Sequence, residues 1–168
     1  VGPVPYGVPV KLDFIAAPPN DNFADATVLT GVDFSTNGTL RGSTRETGDP
    51  LSGSGDLDTV WYSRTAAQSG SVIVALTEQA DFYALQAFTG SNLANLAVAS
   101  VRSQGDSVLL YAVEGTTYRF AVAAFHRWEP DWPSMGAFTL SIMTGDAPAN
   151  DNFADAQTLA GTSAMIVA

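Results

Sequence analysis

Between residues 32 and 144 no long stretch keeps a helical period. Short alternating stretches follow one another instead: "VDFSTNGTL", "LDTVWYSRTA", "GSVIVALT", "DFYALQAFTG", "NLAVASV", "DSVLLYAV", "TTYRFAVAAF" and "GAFTLSIMT". Turn-forming clusters such as "AAQSG", "TGSNL", "SQGD" and "VEGTT" separate them, at the roughly 8–12-residue spacing of sandwiches and barrels. A period of two places alternate side chains on opposite faces of a strand, as in Leu57, Thr59, Trp61 and Ser63 against Asp58, Val60 and Tyr62. The pattern predicts an all-β sandwich of about eight or nine strands.

Only one segment reads as a helix. In "NDNFADATVL", Asn22 stands at an N-cap position with Asp25 three residues on, and Phe23 and Ala26 share a face. Such a helix is about two turns long and depends on packing for its stability.

The same segment holds the main organisational signal. "PPNDNFADATVLTG" at 18–31 returns as "PANDNFADAQTLAG" at 148–161, offset by 130 residues and identical at ten of fourteen positions. The chain therefore divides into an arm or edge strand over 1–17, a sandwich over 18–145, and a linker with the start of a second repeat over 146–168. In the arm, Val8, Val10, Leu12 and Phe14 fall on one face of an extended strand, while Pro3, Pro5 and Pro9 bar it from the middle of a sheet. The tail "TSAMIVA" is apolar and strand-like and stands where the first copy continues into "VDFSTNG".

Composition narrows the function classes. The 168 residues are 46% hydrophobic, enough to bury a core. There are 17 acidic residues against 7 basic ones, a net charge of −10. No basic patch is available to neutralise phosphates, so nucleic acid and anionic membrane surfaces are poor partners, whereas divalent cations suit such a surface. Cysteine is absent, which excludes disulfides and thiolate chemistry. No run of 18 apolar residues is present for a membrane span. Val1 stands first with no signal-peptide features after it, as expected of a processed protein or a fragment.

The ordered series "NDNFADA", "TRETGDP", "DTVWYSRTAAQSGSVIVAL", "ADFYALQAFTGSNLANLAVA", "DSVLLYAVEGTTYRFAVA" and "GAFTLSIM" resembles the bacterial pre-peptidase C-terminal (PPC-like) domain family from about Pro18 to Met143. The resemblance implies a jelly-roll-like β-sandwich, attached to secreted proteases and collagenases or repeated in large cell-surface proteins, serving as a binding, adhesion or solubilising module and in some members binding calcium. The alternative to a linking structural module is thus a substrate-binding accessory domain of a secreted protease or other hydrolase. The chain departs from the family pattern at "DFYAL" and "VRSQGD", where acids of the family are missing.

Calcium takes six to eight oxygens from carboxylates, carbonyls and amides. The clustered candidates are Asp21 beside Asn20, Glu46 and Asp49 in the loop, and Asp56 with Asp58. Of these, Asp21, Asp56 and Asp58 match the kind of position used in calcium-binding family members. The competing roles are local: a helix cap for Asp21 and an Asx turn for Asp56. In "FHRWEPDWPSMG", Trp128, Trp132 and His126 form a candidate contact loop for a polysaccharide, a protein fibre or a partner, against the alternative that the tryptophans cover an end of the sandwich. His126 is the single histidine, no G-x-S-x-G occurs, and no catalytic triad can be assembled, so no enzyme is expected.

The ends remain. Val8, Val10, Leu12 and Phe14 on one side, and Met165, Ile166 and Val167 on the other, are strand-like segments with no sheet of their own. Strand addition between copies would link them head to tail. The alternatives are adjacent repeats in a longer polypeptide, or a tail folded onto its own sandwich.

Overall fold

The computed structural model describes residues 14–31, 33–51, 57–77, 83–125, 136–145, 150, 153–156 and 158. Ten strands are present among them: β1 (Thr27–Val28), β2 (Phe34–Thr39), β3 (Leu57–Thr65), β4 (Gly70–Thr77), β5 (Tyr83–Thr89), β6 (Ala97–Val98), β7 (Arg102–Gln104), β8 (Ser107–Ala112), β9 (Thr117–Phe125) and β10 (Ala137–Thr144). They form two five-stranded sheets, ordered β1-β3-β9-β5-β6 and β2-β10-β4-β8-β7. Apart from the parallel pair β1 and β3, neighbouring strands are antiparallel. The architecture is the β-sandwich that the alternation predicts.

The period-two pattern explains the core. Val72, Val74 and Leu76 of β4 and Phe138, Leu140 and Ile142 of β10 point inward, to meet Val60 and Tyr62 of β3, Leu85 and Ala87 of β5, and Phe120 and Val122 of β9. The odd positions of β4 and β10 include Ile73 and Met143, which stay exposed. That sheet has one covered face. The other has two, because Trp61, Phe88 and Ala121 on its outer side form a second buried cluster with Phe23, and Leu51, Leu93 and Leu96 pack against it. Trp61 sits opposite Ala121 in the ladder, and the small residue leaves room for the indole.

Two local expectations change. The expected helix shortens to one 3-10 turn, Phe23–Asp25, and Thr27 and Val28 become β1, in register with Tyr62 and Ser63. Asn22 makes no side-chain cap; its amide donates to the Asp25 carboxylate at 3.3 Å. Two β-branched residues gain ladder bonds beside β3, which outweigh a second helical turn. Likewise "NLAVASV" is no single strand. A 3-10 turn at Leu93–Asn95 precedes the two residues of β6, and β7 begins only at Arg102.

Candidate functional site

The NDNF segment is a plug, and β3 with the loop after β2 is its socket. Asn20 is buried, and its Nδ2 donates to the Trp61 carbonyl at 2.9 Å while the Trp61 amide donates to the Asn20 carbonyl at 2.9 Å. Asp21, also buried, accepts the Thr44 amide on Oδ1 and the Thr44 hydroxyl on Oδ2, both at 2.6 Å. Glu46 Oε2 accepts the Phe23 amide at 2.8 Å. The Phe23 ring stands edge-on to Trp61, centroids 5.1 Å apart, and the Arg119 guanidinium lies 4.8 Å over its centre. The side chains of Asn20, Asp21 and Phe23 thus each have a specific partner in "TRET" or "VWYSR", whereas that of Asn22 stays within the turn on Asp25. The sequence lists both segments but has no local signal that they meet, because the partners lie 23 and 41 residues away.

Beside the plug, the sandwich is open between its edge strands β1 and β2. A cleft of about 340 Å³ lies there, with Pro18, Pro19, Thr27, Thr36, Gly38 and Tyr62 among its walls. Gly38 permits the close approach of the layers. A Cβ at that position would lie 2.3 Å from both the Phe138 ring and the Tyr62 hydroxyl. A glycine inside the strand pattern "STNGT" is the sequence sign of such an approach. Burial raises the Tyr62 phenol above its ordinary pKa, and a hydrogen bond with the Asn20 side chain opposes that rise.

The expected calcium ligands are placed as follows. Asp21 and Glu46 hold the plug in its socket. Asp49 is buried, its Oδ1 accepting the Leu51 amide at 3.0 Å, and Asp58 lies half-buried on β3. Asp56 lies outside the described residues. Among the described residues, no three His, Cys, Asp or Glu side chains gather as a metal ion would require. His126, Trp128 and Trp132 also lie outside the described residues, as do Val8, Val10, Leu12, Met165, Ile166 and Val167. Phe14 is described, is not part of a strand, and is 95% exposed.

The second copy of the motif repeats the first copy's turn. Phe153–Asp155 forms a 3-10 turn like that of Phe23–Asp25. Ala26 packs against the Trp61 cluster, whereas its counterpart Ala156 is exposed. No helix among the described residues is long and apolar enough to cross a membrane.

No protein-family model matches the chain. No curated protein matches it either. Among solved structures it is similar to the pre-peptidase C-terminal domain of a collagenase from Bacillus anthracis, at 16% identity and a TM-score of 0.43, over 70% of this chain and 93% of that one.

Proposed function

We propose that the chain is a non-enzymatic, extracellular structural module, a β-sandwich that links to neighbouring copies of the same unit through its terminal segments. The neighbours are subunits of a filament or repeats along one surface polypeptide. One observation carries the reading: the chain has two copies of the plug motif, and among the described residues the sandwich has one socket, which the first copy fills. Asn20 takes both backbone groups of Trp61, Asp21 takes Thr44, and Glu46 takes the Phe23 amide. The second copy forms the same turn with Ala156 exposed, so its natural partner is a socket of the same kind that no first plug occupies, on the next sandwich of the polypeptide or on a copy whose own first plug is displaced. Loss of a plug's burial is worth several kcal/mol to any sandwich that lacks it, by the ~3–5 kcal/mol typical of removing a buried phenylalanine.

The test is the assembly state of the protein with and without residues 146–168, by light scattering after size exclusion and by negative-stain microscopy. Linear assemblies that disappear on removing the segment are expected of the filament form. A clean monomer in both cases overturns that form.

A further inference from the structure

If copies link, as proposed above, β2 is the place on the fold most open to a strand from outside. β1 and β6 are two residues long, and β7 has three with Arg102 among them, so three of the four sheet edges are short or charged. β2 has six residues, Phe-Ser-Thr-Asn-Gly-Thr, with neither proline nor charge. The Leu40 amide donates to the Gly136 carbonyl at 2.8 Å, so the backbone groups of the even residues of β2 face β10. Those of Ser35, Asn37 and Thr39 then face the open side. No backbone partner meets them there among the described residues. On its inner face β2 leaves Phe34, Thr36 and Gly38 half-buried, beside the cleft over Tyr62.

The arm is patterned for that edge. Its prolines stand at 3, 5 and 9, all odd, and the even positions Val4, Tyr6, Val8, Val10, Leu12 and Phe14 are all apolar. In an extended strand the amide and carbonyl of one residue point to the same side, and the next residue's point to the other. The three missing amides therefore fall on one edge, and the other edge keeps every donor. The same even residues supply an apolar face. A strand with one pairing edge, one blunted edge and one apolar face is suited to end a sheet by covering its open side. Where the arm meets the body, Phe14 is 95% exposed, so the apolar face does not lie against its own sandwich at that point.

We propose that Val4–Phe14 of one copy adds through its proline-free edge to β2 of a second copy, and that its apolar face closes the cleft over Tyr62. Eleven extended residues span about 36 Å, against about 20 Å for β2, so the arm has length to spare. The contact is heterologous, because the donating arm and accepting edge are different surfaces. It therefore propagates from copy to copy, into an open filament unless its rotation closes a ring.

Two single substitutions in the full chain test the edge assignment. Val10→Pro removes a donor from the pairing edge while keeping an apolar residue. Lys11→Pro removes one from the blunted edge. Measured by sedimentation over a concentration series, Val10→Pro is expected to weaken association about tenfold or more, the loss of a buried backbone hydrogen bond, and Lys11→Pro to leave it unchanged. Equal behaviour of the two variants, with assembly intact, overturns the arm route and leaves linkage through residues 146–168 standing. A parent protein that stays monomeric at every concentration overturns the linkage itself. A monomer whose melting temperature falls with Val10→Pro alone places the arm on its own sandwich and overturns the proposal.

Discussion

Tyr62 shows how much one side chain carries here. Its ring packs edge-on against Phe138 with centroids 6.2 Å apart, its backbone pairs with Thr27, and its hydroxyl lies within reach of a Cβ that Gly38 does not have. Burial raises its pKa, and Tyr83 is raised for the same reason. A raised phenol binds its proton more tightly in the folded chain than in the unfolded one. Its contribution is complete below the unfolded value of about 10 and is lost as pH climbs through the folded value. Urea midpoints measured at pH 8 and pH 11 should therefore fall, and fall less steeply in Tyr62→Phe. An equal drop in both proteins would show that Tyr62 is not the titrating group. The tyrosine itself is plain in the sequence. Its burial beside a glycine on another sheet is not, since Gly38 is 24 positions away and nothing local joins them.

At the level of elements, the alternation located the strands well. The stretch "GSVIVALT" is β4 residue for residue, and "GAFTLSIMT" contains β10 within one position. The errors fall where two structures compete over a few residues. "NDNFADATVL" satisfies a helix start, but Thr27 and Val28 have a strand to join and the turn closes after Asp25. "NLAVASV" alternates well enough for a strand, yet Asn95 accepts the amides of Ser91 and Asn92 on its side chain and holds a turn instead. The duplicated motif yields a contrast that separates plug from copy. Phe23→Ala should cost the sandwich about 3–5 kcal/mol in urea unfolding, because Trp61 loses its cover. Phe153→Ala should leave the unfolding of a single sandwich within about 0.5 kcal/mol, the range of substitutions away from the core. A comparable loss at both positions would mean that the second plug serves this same sandwich.

For the whole molecule, charge sets the conditions of linkage. A net charge of −10 makes copies repel, and the repulsion is screened as salt shortens the Debye length from about 30 Å at 0.01 M to about 8 Å at 0.15 M. Association should strengthen over that range in sedimentation velocity. Weakening would point to a contact held by opposite charges, contrary to a neutral β2 edge and an apolar arm face. The same acidity makes Asp21, Glu46 and Asp49 look like cation ligands in the sequence. The fold commits the first two to the Thr44 amide and hydroxyl and to the Phe23 amide.

The sequence alone determined the strand count to within one or two, the presence of two copies of one motif, and the resemblance that goes with them. These are properties of spacing and alternation, which are local. It also determined the one-sided placement of the prolines. Only the tertiary structure decided that NDNF fills a socket on β3, that β2 is the long open edge, and that one sheet is buried on both faces. Each of those depends on which strands lie side by side, and packing between residues far apart in the chain chooses the neighbours.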